Sequence, residues 1–364
     1  TSRLTPLLLL LTSLLTLSLS AFYPLPASTT RDHGIPTIDF ARSHYVTHAD
    51  FEHCGKPTTG RARRGMGDDY VDGLDFEVRG DSGDAAVGEM PWAVAVVTRV
   101  PDRASPRLCA GTLVSRRHVL SAAHCLSKGD VIAANPGHVR CKKSDHLDLN
   151  DFSAHSVVKY GGECLTGRDS KCDQSMLTKE TGIKNITLFP FFREDCSHGS
   201  DLVIIELDKD VDVPHACLSH LHDLEDASLR NATATAFHTF GWAADKSKGY
   251  EAADRLQKSS LGLLQDRCAK KWKSLSTDVL CAPPGKHIEQ CLGDSGAGLL
   301  ATSSGRAFLI GVLSSSSACS PSRDGGPDET RFTDVRLFSA TIDLALGTRG
   351  PFLDLGEKTT VSPK

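Results

Sequence analysis

The stretch Cys291 to Leu300 reads C-L-G-D-S-G-A-G-L-L, a serine set in a glycine-rich turn with an apolar strand directly behind it. It limits what the chain can fold into more than any other segment. A serine hydroxyl is a weak nucleophile at neutral pH, so a reactive serine needs a base for its proton and donors for the oxyanion that forms. Gly293 and Gly296 carry no side chains, which leaves the backbone free to aim the amides of Gly293 and Ser295 into one small hollow. Alone, G-D-S-G also suits an ordinary turn.

Two upstream stretches supply the missing chemistry. Leu120 to Cys125 reads L-S-A-A-H-C, with His124 at the end of an apolar run as the candidate base. Asp201 opens D-L-V-I-I-E-L, where a carboxylate leads into a strand apolar enough to be buried. Its charge must be met by hydrogen bonds at the strand mouth, and a histidine N–H would meet it. The order His124, Asp201, Ser295 is one of the chain orders that build a hydroxyl–imidazole–carboxylate triad.

With Pro91-Trp92, C-A-G-T-L-V-S-R-R-H-V-L-S-A-A-H-C from Cys109, and Gly241-Trp242, these motifs make the chain resemble the chymotrypsin and trypsin-like serine endopeptidases over roughly Ala85 to Gly347. The resemblance implies an all-β fold of two six-stranded antiparallel β-barrels, with the site in the cleft between them. It implies that His124 is general base and acid, that Asp201 orients it, and that Ser295 attacks the carbonyl while the Gly293 and Ser295 amides hold the oxyanion. From Asp201 to Ser295 is 94 positions, close to the family's separation, whereas His124 to Asp201 is 77, longer than usual. An insertion in the first barrel is therefore expected.

Composition agrees with one catalytic domain carrying appendages. The chain has 364 residues, 40% of them apolar, enough for a sizeable core. A net charge of −4 leaves no electrostatic footprint for nucleic acid, and no such partner is expected. Arg3, the Leu-rich run Leu7 to Leu19, and Ser18 and Ser20 before Ala21 read as a secretory leader over residues 1–20, too short for a comfortable membrane span. Residues 21–79 show no sustained apolar period and read as a propeptide or linker. Residues 80–350 are assigned to the protease domain and 351–364 to a tail. The expected destination is extracellular, without a membrane anchor once the leader is removed. N-I-T at Asn185 and N-A-T at Asn231 are then sequons for glycosylation.

The twelve cysteines include no C-x-x-C pair and no histidine spacing of a zinc site, so disulfides, not a metal, are expected. The resemblance implies Cys109–Cys125, Cys268–Cys281, Cys291–Cys319 and Cys54–Cys217. Cys141, Cys164, Cys172 and Cys196 all lie in the long histidine-to-aspartate interval and are expected to form two bridges, in any of three connectivities. Asp145 to Asp151, D-H-L-D-L-N-D, offers oxygen atoms but lacks the glycine and terminal glutamate of an EF-hand loop. No cofactor or metal is assigned.

The sequence departs from the family at activation and specificity. Family zymogens are cut to free an apolar terminus, typically Ile-Val-Gly-Gly, whose ammonium pairs with the aspartate before the serine, here Asp294. No Ile-Val-Gly-Gly occurs. A cut after Arg79 would free Gly80, and R-A-R-R-G at Arg61 to Gly65 offers another site for an activating protease. Counting back from Ser295 puts Glu289 at the base of the substrate pocket beside Gln290, with Ser316 and Thr330 as walls and Ser314 on the flanking strand. The Ser314 hydroxyl matches the family position that supports the aspartate. A carboxylate at the pocket base favours Arg or Lys in a peptide or protein substrate, while the branched Thr330 favours a smaller residue. Ala243, Ala297, Gly298 and Ser315 also replace more usual family residues. Strands are expected over Asp201–Leu207, Ala234–Phe240 and Phe308–Ser314, the interbarrel connection over Val211–Asn231, and a short helix over Leu337–Leu346. The competing reading is a silent homologue that keeps the fold as a binding or regulatory module.

Overall fold

Two antiparallel sheets account for nearly all regular structure in the computed structural model, which describes residues 54–58, 83–100, 105–128, 145–192, 199–221, 236–242, 244–245, 251–262, 277–282, 294–303, 305–316 and 330–347. The leader, Arg61 to Gly65, Arg79, Gly80, Asn231, Ala243, Glu289, Gln290, Gly293 and residues 351–364 fall outside these, as do Cys141, Cys196, Cys268, Cys291 and Cys319.

In chain order the strands are β1 (Gly83–Asp84), β2 (Ala93–Thr98), β3 (Arg107–Leu113), β4 (His118–Ser121), β5 (Ser156–Tyr160), β6 (Lys179–Thr181), β7 (Ile183–Leu188) and β8 (Val203–Leu207). There follow β9 (Cys217–Leu218), β10 (Ala236–Gly241), β11 (Ala244–Asp245), β12 (Glu251–Ala252), β13 (Gln257–Leu261), β14 (Val279–Ala282), β15 (Gly298–Ser303), β16 (Arg306–Ser316) and β17 (Thr330–Asp334).

The first sheet runs β6-β5-β2-β3-β4-β8-β7. Only Gly182 separates β6 from β7, so the chain itself joins the two ends of the sheet and makes six lengths of strand curl into a barrel. The β-branched, apolar run A-V-A-V-V-T of β2 lies between β5 and β3 and is almost wholly buried. The second sheet runs β1-β13-β10-β15-β16-β17-β14, with β9 added in parallel along β16. Setting aside the two-residue β1 and β9, it too has six strands, so the double-barrel expectation holds.

The apolar faces of both barrels merge into one core that includes Trp92 and Trp242, each with at most 1% of its surface exposed. The expected strands begin or end one to two residues from their sequence limits, as at β8 and β10, because Asp201 and Leu202 form the entry to β8 and not the strand itself. The insertion in the long interval contains a helix, Leu149–Ala154, and a disulfide-closed loop, Cys164–Cys172. Asp148 caps that helix, accepting from the amides of Asn150 (2.9 Å) and Asp151 (3.2 Å), which gives the acidic run a structural use. At the C-terminal end a 3₁₀ turn, Val335–Phe338, leads into the helix Ser339–Leu346. Ile342 and Leu346 pack on the core, whereas Leu337 and Leu344 face outward, so the helix accounts for only part of the apolar pattern.

Candidate active site

His124 lies in a 3₁₀ turn, Ala123–Leu126, immediately after β4, and the Cys109–Cys125 disulfide fastens that turn to β3. Asp201 precedes β8, the neighbour of β4, which brings the two residues together across 77 positions. The carboxylate has 2% of its surface exposed and is met by three donors. The His124 amide reaches Oδ1 at 2.9 Å, His124 Nδ1 reaches Oδ2 at 2.8 Å, and Ser314 Oγ donates to Oδ2 at 2.6 Å. A carboxylate only accepts, so in the neutral imidazole the proton is on Nδ1 and Nε2 keeps its lone pair for another donor. Each bond to the charged oxygen is worth more than a neutral one, which is how the buried charge is tolerated.

The backbone before Asp201 is strained. Ser200 adopts φ of 59°, the left-handed region that costs a non-glycine residue about 1–2 kcal/mol. Its amide donates to Asp278 Oδ2 at 2.6 Å, and Asp278 stands just before β14 in the other barrel. This tie from the second barrel sets the loop that delivers the carboxylate.

Ser295 is half-buried in the turn before β15. Its carbonyl accepts from the Ala110 amide of β3 at 2.8 Å and lies 3.7 Å from Sγ of Cys125, the residue next to His124. Gly296 follows with φ of +88°, and a Cβ there would fall 2.2 Å from Ser121 Oγ and 2.3 Å from Ala110 O. Only glycine fits, so the serine turn is seated directly on the strands that carry the histidine. Asp294 is buried against Gly241, where a Cβ would come within 1.8 Å of its Oδ1. A cavity of about 10 Å³, room for no more than one water, is lined by Asp294, Gly241, Phe240 and Lys258 among others.

Of the expected pocket residues, Thr330 is fully buried at the start of β17, opposite Ser316 and Ala282. Ser314 is bonded to Asp201 and so supports the carboxylate. Ala297 is buried behind the turn, its carbonyl accepting from the Leu313 amide at 2.8 Å, and Gly298 opens β15 opposite Val312. Cys54–Cys217 and Cys164–Cys172 are formed, and Cys281 is disulfide-bonded.

Several charged groups carry no signal in the sequence. Glu89 and Lys258 form an ion pair with both side chains under 10% exposed, joining the segment after β1 to β13. Glu163 accepts from the Gly88 amide at 2.7 Å, and burial raises its pKa above the ordinary value. Asp254 bonds Thr166 N (2.6 Å), Thr166 Oγ1 (2.8 Å) and Asp169 N (3.0 Å), stapling the loop of the Cys164–Cys172 bridge to the second barrel. Burial works to raise the Asp254 pKa, but these hydrogen bonds outweigh it and hold the carboxyl below its usual value.

Comparison with known proteins agrees with the architecture. The trypsin family model matches residues 78–335, most of the chain, and the chain belongs to that family. It is similar to the trypsin-like protease try-5 of Caenorhabditis elegans, 28% identical over 68% of this chain and 80% of that one. It is also similar to a venom protease of Bombus pensylvanicus, at 26% over 65% and 87%, and to a trypsin of Saccharopolyspora erythraea, at 27% over 67% and 88%. The chain is a serine-type endopeptidase, a hydrolase of peptide bonds.

Proposed function

We propose that this enzyme is a secreted endopeptidase working through His124, Asp201 and Ser295. The observation that carries the reading is the triple-donor contact on the Asp201 carboxylate, with His124 Nδ1 at 2.8 Å. His124 Nε2 takes the Ser295 proton as Oγ attacks the substrate carbonyl, and Asp201 stabilises the imidazolium that results. The amides of Gly293 and Ser295 hold the oxyanion. The imidazolium protonates the leaving amine, and water then releases the acyl-enzyme by the same steps reversed in role. Glu289 favours Arg or Lys before the scissile bond, and Thr330 sets how deep that side chain reaches.

Activation follows a cut by another protease after Arg79 or Arg64. In support, Gly83 and Asp84 pair with Lys258 and Gln257, two of the residues lining the cavity beside Asp294. Three residues of extended chain span about 10 Å, which gives a Gly80 ammonium the reach to approach Asp294. Residues 54–58 stay attached after either cut through Cys54–Cys217. The leader and the disulfides support an oxidising, extracellular destination.

The test is to express the chain in a secreting cell, treat it with trypsin or a basic-specific convertase, and label it with a phosphonate serine probe. Labelling is expected only after processing and is lost in Ser295→Ala. Labelling that survives Ser295→Ala discards the mechanism, and N-terminal sequencing of the labelled species locates the cut.

A further inference from the structure

The sequon Asn185-Ile186-Thr187 lies within β7, a strand at the end of the first sheet. Strand alternation makes this an unexpected place for an accessible asparagine. Ile183 is paired with Leu207 and packs against the core, so strict period-2 alternation would turn Asn185 inward beside it and Ile186 outward. The register instead shifts between Ile183 and Asn185, so that Lys184 and Asn185 together stand opposite Glu206. Both are exposed, and Ile186 returns to the core with 3% of its surface accessible. The bulge thus reverses the facing of the sequon asparagine.

Its surroundings leave the carboxamide available. Lys184 Nζ occupies the Glu206 carboxylate at 2.5 Å, and no described residue hydrogen-bonds the Asn185 side chain. A buried or bonded amide would resist modification, and neither condition applies here. The site also stands away from the catalytic groups. Leu188, whose side chain packs on Phe191, Phe192 and Ala123 next to His124, is three residues further along β7, about 10 Å of extended strand.

We propose that Asn185 carries an N-linked glycan, attached in the secretory compartment from a polyprenyl-diphosphate-linked oligosaccharide. Asn185 Nδ2 bonds the anomeric carbon, the bond from that carbon to the diphosphate oxygen breaks, the lipid diphosphate leaves with the electron pair, and the amide gives up one proton. Thr187 supplies the hydroxyl the transferase requires. The proposal rests on the secretory reading given above.

The experiment uses the full chain, with its own leader behind an initiating methionine, expressed in animal cells. Secreted protein is treated with peptide N-glycosidase in heavy-oxygen water, which marks each formerly glycosylated asparagine as a heavy aspartate in peptide mass spectra. Asn185 is expected to carry the mark in the unmutated protein. Asn185→Gln and Thr187→Ala should each run as a band smaller by one glycan, Thr187→Ser should restore it, and processed Asn185→Gln should label with the phosphonate probe like the parent. A chain in the medium with Asn185 unmarked overturns this proposal alone. A chain retained in the cell without glycan overturns the secretory reading together with it.

Discussion

Acid should unfold this protein through two buried histidines outside the candidate triad. His118, at the start of β4, is 5% exposed and bonded through Nδ1 to Ser115 Oγ at 2.8 Å. His238, on β10, is 2% exposed and bonded through Nδ1 to Ser260 Oγ at 3.2 Å. Burial pushes each imidazole from 6.5 down to about 4, helped at His118 by Arg117 and Lys184 against Glu206 and Asp210, and at His238 by Lys258 against Glu89. A depressed folded-state pKa means the unfolded chain binds the proton more readily. The stabilisation is therefore complete above pH 6.5 and is lost as pH falls toward 4. From these two pKa values, each histidine forfeits about 2 kcal/mol at pH 5 and about 3 kcal/mol at pH 4. Together that is about 4 kcal/mol at pH 5, a large share of the roughly 5–15 kcal/mol that holds a typical domain. The assay is urea unfolding with disulfides intact at pH 7 and pH 5, on the parent and on His118→Asn/His238→Asn. Asparagine keeps a polar atom near Nδ1 and cannot take up the proton. Glu163, whose raised pKa gives the opposite trend, is common to both proteins and cancels. The double variant should lose about 4 kcal/mol less than the parent between the two pH values. Equal losses would refute the reasoning.

Other expectations follow from the same geometry. Ser314→Ala removes a 2.6 Å bond to the buried Asp201 carboxylate, a contact worth about 1.5–3 kcal/mol, so kcat/KM on a peptide ester should fall roughly tenfold to a hundredfold and the unfolding midpoint should drop by several degrees. Gly296→Ala drives a Cβ into Ser121 Oγ and Ala110 O and should cost about 3 kcal/mol or more with loss of probe labelling, read by thermal melt and phosphonate labelling together. Because Cys164 pairs with Cys172, the remaining cysteines of the insertion have one option, and non-reducing peptide mapping should recover Cys141 joined to Cys196. Recovery of either as a free thiol would refute the two-bridge reading of that interval.

The double barrel and the histidine–aspartate contact were legible because each rests on a dense local signal. The apolar runs of β2, β8 and β15 demand burial, and a carboxylate leading into such a run demands donors. The bulge at Lys184 and Asn185 was not legible, since alternation read over three residues gives the wrong face and only pairing with β8 corrects it. Nor were the Glu89–Lys258 pair or the grip of Asp254 on the loop at Thr166 and Asp169. Their partners lie 169 and up to 88 positions away, and in sequence a charged residue beside polar neighbours looks like any solvated surface position. Ser200 belongs with these. A serine after Gly199 gives no warning of a left-handed backbone, and the Asp278 carboxylate that its amide meets lies 78 positions away in the other barrel.

That last contact belongs to a pattern at the site. His124 and Asp201 come from the first barrel and Ser295 from the second, yet each side is fixed by the opposite one. Ser314 and Asp278, from the second barrel, hold the carboxylate and the loop before it. Ala110 and Ser121, from the first, hold the serine carbonyl and close the space around Gly296. Each barrel therefore supplies part of what holds the other's candidate groups, while the His124–Asp201 contact itself lies within the first. Loss of barrel packing would therefore take Ser314 from Asp201 and Ala110 from Ser295 in one event.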